Sequence, residues 1–146
     1  MYQAIGVIEL KSIAKGIEAT DAALKSAGIS LVSARPACPG KYEIILTGSI
    51  SNVTSAVEHV KERFDEKLVD SSIMGRIDEQ VITSLFGTAP VEKKGSLGII
   101  ETYSAASIIK AADKRSLQSL TKSPSLLTLM MQRSLLTFRV RLSFLT

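Results

Sequence analysis

Residues 6–21 read GVIELKSIAKGIEATD, and residues 98–113 read GIIETYSAASIIKAAD. At a constant offset of 92 positions, eight of these sixteen aligned pairs are identical. They are Gly6/Gly98, Ile8/Ile100, Glu9/Glu101, Ser12/Ser104, Ala14/Ala106, Ile17/Ile109, Ala19/Ala111 and Asp21/Asp113. Identity this dense at one fixed offset indicates two copies of a domain of about 90 residues. A complete second copy would need more than the 146 residues present, so we interpret the chain as a tandem repeat with an incomplete second copy.

Four segments of the first copy have the apolar character of β-strands. The sequence predicts them over residues 4–10, 29–34, 42–47 and 68–77. With one helix after the first strand and another after the third, the order is strand, helix, strand, strand, helix, strand. This order predicts a mixed α/β (α+β) fold of the ferredoxin-like, split βαβ type, in which an antiparallel sheet carries helices on one face.

Two long helices are predicted between these strands. The first, over residues 12–27, carries Ile13, Ile17 and Leu24 on one helical face. The second long helix is predicted from an apolar stripe whose members step by four, three and four: Val53, Val57, Val60 and Phe64. After the fourth strand, a short helix over residues 78–86 closes the first copy.

The composition changes abruptly after the opening of the second copy. We divide the chain into a first domain (1–87), a polar linker (88–95), the start of a second domain (96–114) and a tail (115–146). The tail contains no Gly, Ala, Ile or acidic residue, and Leu, Ser and Thr make up 19 of its 32 residues. We therefore expect the remaining strands and the second helix of that copy to be missing. A shift of reading frame near Lys114 explains the tail, and a genuine, diverged extension is the alternative.

The charge of the chain argues against nucleic acid as a partner. The tail contributes a net charge of +5, whereas the other residues hold 13 basic and 14 acidic side chains. The basic pI of 9.3 thus belongs to the tail, and no basic patch is interleaved with aromatic residues. No secretory signal or membrane-spanning run is evident, which predicts a soluble, cytoplasmic protein.

Residues that could carry catalysis are sparse. Neither a dinucleotide-binding glycine motif nor a phosphate-binding loop is present, and Ser, His and acidic residues are not spaced as a nucleophilic triad would require. The single histidine, His59, falls on the polar side of the second long helix. Glu9 and Glu101 occupy equivalent strand positions, which the repeat explains without catalysis. The sequence predicts no enzyme.

Cys38 is the one residue with distinctive chemistry. In Cys38-Pro39-Gly40-Lys41, Pro and Gly occupy the positions that a type II turn favours, so the thiol begins a tight loop between two strands. A small, inert hydrophobic side chain is one interpretation. An iron–sulfur cluster needs several thiolates, so the only cysteine could ligate one only if rotational symmetry brought several chains together.

The repeat, the linker, the segment DAALKSA and the loop cysteine together resemble the bacterial microcompartment shell proteins. Among these, the chain is most similar to the tandem-domain, trimeric (T-type) shell proteins of propanediol-utilisation compartments, over about residues 1–114. The resemblance implies a building block: three chains form a flat, pseudohexameric tile, and tiles join one another and other shell proteins around metabolic enzymes. It implies no nucleic-acid or membrane partner.

The resemblance also assigns roles to individual residues. Lys25 matches the lysine at the edge between tiles, and Arg76 lies where an edge arginine is usual, although the surrounding IMGRID departs from the family pattern. Ala37, Pro39 and Gly40 fall in the loop that lines the central pore. Cys38 matches the pore-loop cysteine through which three chains hold one 4Fe–4S cluster, which would serve electron transfer or cluster delivery.

Two other functions remain open at the level of sequence: an oligomeric, ferredoxin-like regulatory module that binds a ligand, and a small electron carrier acting alone.

The incomplete second copy also raises a question of assembly. A lone strand and helix would expose an unpaired edge and an apolar face, so we expect the chain to form its trimer poorly.

Overall fold

The computed structural model describes residues 4–77, 81, 82, 85, 98–118 and 135–138, and for residues 98–101, 115–118 and 135–138 it describes the backbone. The predicted linker lies outside the described residues. So does most of the predicted closing helix, although Val81, Ile82 and Leu85 are helical. No helix in the described part of the chain is both long enough and apolar enough to cross a bilayer.

The first copy forms one four-stranded antiparallel sheet. Its strands are β1 (Ala4–Leu10), β2 (Ser30–Ala37), β3 (Lys41–Gly48) and β4 (Leu68–Met74). They lie in the order β2-β3-β1-β4, which is the ferredoxin-like order that the sequence predicted. Strand β4 ends at Met74 rather than at residue 77, and β2 runs on to Ala37.

Two helices cover one face of this sheet: α1 (Ile13–Ser26) and α2 (Ile50–Phe64), the latter followed by a 3-10 turn (Asp65–Lys67). Each helix begins after a serine whose hydroxyl accepts a backbone N–H three residues later, at 3.3 Å for Ser12 and 3.2 Å for Ser49. The predicted stripe of α2 is confirmed, because all four of its apolar residues are buried against the sheet.

The apolar residues of α1 are arranged differently. A helix normally turns its large apolar residues toward the core, yet Ile13, Ile17 and Leu24 are exposed. The buried face consists of small residues, Gly16, Ala19, Thr20, Ala22 and Ala23. At Gly16 a β-carbon would lie 2.3 Å from the ring of Tyr42, so this close contact excludes a larger side chain. The stripe seen in the sequence is therefore the outer face of α1.

The other face of the sheet is covered by the second copy. Its helix, α3 (Ala105–Gln118), lies against β1 and β4. The apolar cluster here includes Ile5 and Val7 of β1 and Ile108 and Ile109 of α3. The sheet is thus enclosed between α1 and α2 on one side and α3 on the other.

The second copy also contains a pair of strands. Strand β5 (Gly98–Glu101) pairs antiparallel with β6 (Leu135–Phe138), and Gly98 is opposite Phe138. In the first copy Gly6 is opposite Leu46. Subtracting the repeat offset of 92 from Gly98 and Phe138 gives positions 6 and 46. Strands β5 and β6 therefore repeat the register of β1 and β3.

This arrangement corrects two expectations. We expected the remaining strands of the second copy to be missing, whereas β6 occupies the position of β3. We also expected an unpaired edge and an exposed apolar face, but β5 is paired with β6, and Ile108 and Ile109 are buried. Strand β5 is thus paired along one of its edges, and the apolar cluster includes Ala106, Ile108, Ile109 and Ala112 of α3. The expectation of poor trimer formation stays a prediction. The reading-frame hypothesis for the tail stays a prediction.

Candidate functional site

The tip of the β2–β3 hairpin carries the loop that the sequence singled out. Ala37 is paired with Lys41, so the connection consists of Cys38, Pro39 and Gly40. The Cys38–Pro39 peptide is cis, and Gly40 has a φ of 67°, in the left-handed region that glycine tolerates best. A three-residue hairpin with glycine in that conformation is a common strand connection.

The side chain of Cys38 is exposed, and so are Pro39 and Gly40, whereas Ala37 is half-buried. A small, inert hydrophobic side chain is ordinarily buried, whereas Cys38 is exposed. An exposed thiol at a hairpin tip can reach a ligand or another molecule. Within one chain it is the only thiol, and the described residues hold no group of three or more metal-binding side chains.

Lys25 and Arg76 lie at the end of the sheet opposite this hairpin. Tyr42, just after the loop, pairs with Leu10, so β1 ends and α1 begins on the loop side. Helix α1 then runs back across the sheet, which places Lys25, in its last turn, at the far side. Strand β4 likewise starts opposite Leu10 and ends near Ile5 at the far side, just before Arg76. Both side chains are exposed, and Lys25 pairs with Asp21 at 2.7 Å.

A buried ionic contact lies just below the loop, and the sequence did not predict it. Lys41 forms a salt bridge with Glu9 at 2.9 Å, and its ammonium lies 5.1 Å from the centre of the Tyr103 ring. The other carboxylate oxygen of Glu9 accepts the backbone N–H of Ala105 at 3.0 Å. The identity of Glu9 with Glu101 was the available signal, but it could not reveal a contact between copies.

Asp70 makes a second polar contact with the start of α3. One of its carboxylate oxygens accepts hydrogen bonds from the hydroxyl of Ser104 and, at 2.6 Å, from that of Ser107. Burial alone would raise the pKa of Asp70, but these hydrogen bonds, led by the one from Ser104, outweigh it and hold the pKa below its usual range. Asp70 is therefore an ionised anchor for the N-terminus of α3.

Glu43 lies beside Glu9 on the neighbouring strand and is fully buried. Burial raises the pKa of Glu43, although the positive charge of Arg35, 3.5 Å away, partly opposes that effect. The Oε2 atom of Glu43 has no hydrogen-bond partner within the described part of the chain. A buried carboxyl oxygen without a hydrogen bond lowers the stability of the fold.

The polar residues at the contact with α3 and the exposed loop that carries Cys38 therefore have different roles. Glu9 and Asp70 hold the start of α3 on the sheet, and Lys41 pairs with Glu9. His59, expected on a polar helix face, is indeed exposed. The loop residues Cys38, Pro39 and Gly40 are exposed at this end of the molecule, and so is Tyr103, at 83%.

Comparison with known proteins agrees with this architecture. Residues 4–77, which include the whole four-stranded sheet with α1 and α2, match the family model described as "BMC domain". The chain belongs to the BMC domain family. The match covers the first copy, and the repeat of 92 residues makes the second copy a partial BMC domain as well.

Two relatives extend the comparison beyond the first BMC domain. The chain is 42% identical over 114 residues to the bacterial microcompartment shell protein PduT of Citrobacter freundii. The aligned residues make up 78% of this chain and 62% of that protein. The crystal structure of a microcompartments protein from Desulfitobacterium hafniense DCB is similar, with a TM-score of 0.67 and 40% identity. That match covers 80% of this chain and 65% of the other. The chain thus spans less than two thirds of the length of either relative.

Proposed function

We propose that the chain is a structural subunit of a bacterial microcompartment shell and acts in the cytoplasm as a building block rather than as an enzyme. Membership of the BMC domain family and the name of the Citrobacter freundii relative support this role. Three of the polar residues that the fold buries, Glu9, Ser72 and Ser104, form hydrogen bonds between the sheet and the start of α3, which fits a structural protein. The same relative favours a compartment of propanediol utilisation.

The observation that carries the proposal is the placement of Cys38 and the pair Lys25 and Arg76 at opposite ends of one sheet. In a flat tile, one end of each domain faces the axis and the other faces the perimeter. Three chains arranged with their Cys38 hairpins inward would surround a central pore. Lys25 and Arg76 would then lie at the perimeter, where neighbouring tiles and other shell proteins meet.

The cysteine adds a cofactor to this proposal. One thiol per chain cannot hold an iron–sulfur cluster, but three exposed thiols around a three-fold axis supply three of the four thiolates that a 4Fe–4S cluster ordinarily takes. Cys38 of each chain would hold the cluster, and a bound cluster would supply one-electron transfer across the shell. The fully exposed hairpin tip leaves the thiol free for this role.

The test is an anaerobic measurement of mass, iron and sulfide on the purified chain, with Cys38→Ser as the matched control. If the chain assembles in spite of its incomplete second copy, light scattering should give a multiple of three chains. The assay should then give about four irons per three chains, which is one 4Fe–4S cluster for each trimer. The serine variant should keep its mass and lose its iron. An iron-free trimer would overturn the cluster alone. A chain that stays monomeric and forms no sheets in the electron microscope would overturn the shell role.

A further inference from the structure

The hairpin that carries Cys38 projects beyond the sheet to which it belongs. The ladder between β1 and β3 ends at the pair Leu10 and Tyr42. The ladder between β2 and β3 continues to the pair Ala37 and Lys41. Strand β2 lies at the edge of the sheet, so past Tyr42 the hairpin has no further strand beside it among the described residues. The backbone ladders alone therefore leave this part of the chain weakly held.

The side chain of Lys41 connects the projecting hairpin to the rest of the molecule. Lys41 follows the loop directly, and 14% of its side chain is exposed. Its ammonium lies 2.9 Å from Oε1 of Glu9 on β1. The same ammonium donates to the backbone carbonyl of Tyr103 at 3.4 Å and lies 5.1 Å from the centre of the Tyr103 ring. A largely buried ion pair with these added contacts fixes a lysine better than an exposed pair does.

Tyr103 lies in the turn between β5 and α3, and this turn is itself attached to the sheet. The hydroxyl of the next residue, Ser104, donates to a carboxylate on β4. The backbone N–H of Ala105 donates to the other carboxylate oxygen of Glu9 at 3.0 Å. Because the backbone next to Tyr103 is held in this way, the turn gives Lys41 a fixed contact that belongs to the second copy.

Position 103 differs between the two copies in a way that suits this contact. Its counterpart in the first copy is Lys11. A lysine in place of Tyr103 would bring a second positive charge toward the ammonium of Lys41, whereas the face of an aromatic ring attracts that ammonium. The side chain of Tyr103 is largely exposed, so it adds little to the core. The ring contact that the structure shows for it is the one with Lys41.

We propose that Lys41 and Tyr103 are positioning residues for Cys38, so that the turn at the start of the second copy determines where the thiol lies. Thiols from three chains that share one cluster must each be held to within about 0.5 Å of the required place. A hairpin held by its backbone ladder alone does not meet that demand. This inference rests on the proposed function in taking Cys38 as the residue that binds, but the placement of the hairpin is measured without a cluster.

The test uses a nitroxide label on Cys38, which is the only cysteine of the chain, so the label reports on the hairpin alone. The electron paramagnetic resonance spectrum of the full, iron-free chain measures how freely the label rotates. We expect Lys41→Met to shorten the rotational correlation time at least about twofold, because a released loop moves on the nanosecond timescale. Tyr103→Leu removes the ring and keeps the backbone carbonyl, so it should shorten that time by a smaller factor.

Conservative variants separate positioning from a general loss of structure. Lys41→Arg keeps the charge that pairs with Glu9, and Tyr103→Phe keeps the ring, so both should hold the label as the unsubstituted chain does. Lys61→Met is the matched control, because Lys61 forms an exposed pair with Glu58 at the same distance of 2.9 Å and should not affect the label. Combining Lys41→Met with Tyr103→Leu should free the label no further than Lys41→Met alone, since both changes remove one shared contact.

An unchanged correlation time in Lys41→Met and Tyr103→Leu overturns the proposal, and so does an equal decrease in Lys61→Met. If circular dichroism shows that Lys41→Met does not fold, Tyr103→Leu decides alone, since its side chain is exposed. Anaerobic iron analysis tests the consequence for the cluster: Lys41→Met should bind less iron than the unsubstituted chain at equal oligomeric mass. Full iron in a variant whose label is freed overturns the positioning role. An iron-free unsubstituted chain overturns the cluster, and the label result still decides whether Lys41 and Tyr103 place the hairpin.

Discussion

The carboxylate of Glu9 joins the two repeats, because its Oε2 atom accepts the backbone N–H of Ala105 at 3.0 Å while its Oε1 atom lies 2.9 Å from the ammonium of Lys41. Ala105 is the first residue of α3. A carboxylate at this position satisfies an N–H that the helix leaves unpaired and interacts favourably with the helix dipole. The contact between the copies is thus ionic at the loop end, and it is apolar where Ala106, Ile108, Ile109 and Ala112 of α3 meet the sheet.

Replacing Glu9 by Gln should weaken the attachment of α3. Lys41 would keep its charge in a largely buried position without its counter-ion, and removing one partner of such a pair costs about 2–4 kcal/mol of unfolding free energy. Urea unfolding measures the loss. Hydrogen exchange in residues 105–114 should accelerate more than in β3. Glu18→Gln is the control, because Glu18 forms exposed pairs with Lys15 and Arg63, and its loss should lower the unfolding free energy far less than the loss of Glu9 does. Equal losses in the two variants would contradict the role given to Glu9.

The close approach of α1 to β3 gives a second prediction. A methyl group at Gly16 would lie 2.3–2.4 Å from three atoms of Tyr42, so α1 must move away from the sheet. We expect Gly16→Ala to destabilise the chain by about 1–3 kcal/mol, although alanine favours helices more than glycine does. Gly75→Ala is the matched control, since its nearest neighbour would be 3.5 Å away. Thermal unfolding compares them, and a stabilised Gly16→Ala variant would show that Tyr42 moves aside freely.

The order of strands and helices along the chain and the apolar stripe of α2 were predictable because both depend on local periodicity. The apolar residues of α2 step by three and four and meet one sheet face, so pattern and burial coincide. In α1 they do not coincide, since small residues, not large ones, are needed beneath Tyr42. Ile13 and Ile17 share one face of α1, as the sequence predicted, but that face is exposed.

The contacts of the candidate site were less accessible to sequence reasoning. The Cys38 loop was predictable because proline and glycine define the turn locally, and its exposure follows from its place at a hairpin tip. The Glu9–Ala105 bond joins residues 96 positions apart, and no local pattern encodes it. The repeat made Glu9 and Glu101 conspicuous, but only the docking of α3 on the opposite face of the sheet explains why a carboxylate is needed.

Cys38 should be reactive in the folded chain. Its side chain is exposed, so a thiol reagent should label it completely without denaturant. Cys38→Ser removes no buried surface and should change the unfolding free energy by less than about 0.5 kcal/mol. Labelling under anaerobic conditions, before and after removal of iron with a chelator, measures both states. A thiol that reacts only after urea is added would contradict the exposed placement.

Asp70 should stabilise the chain more at neutral pH than in acid. Hydrogen bonds from Ser104 and Ser107 hold its pKa below the usual value of 3.8. The stabilisation is therefore present above that value and is lost as the pH falls through the pKa of the folded chain. Asp70→Asn should cost about 1–2 kcal/mol at pH 7, and the cost should shrink in acid. Urea midpoints between pH 2.5 and pH 7 measure it, and a cost that does not vary with pH would contradict the ionised anchor.

Glu43 should behave in the opposite way, because burial raises its pKa above the usual value of 4.5. The folded chain holds this proton more tightly than the unfolded chain, so the contribution is full below pH 4.5 and is lost as the pH rises through the folded pKa. Glu43→Gln cannot ionise, and its buried amide adds a cost that is independent of pH. We therefore expect the unfolding free energy of Glu43→Gln, relative to the unsubstituted chain, to increase from pH 4.5 upward. Urea titrations across this range measure the difference between the two chains. A difference that stays constant, or that decreases as for Asp70→Asn, would mean that burial does not raise the pKa of Glu43.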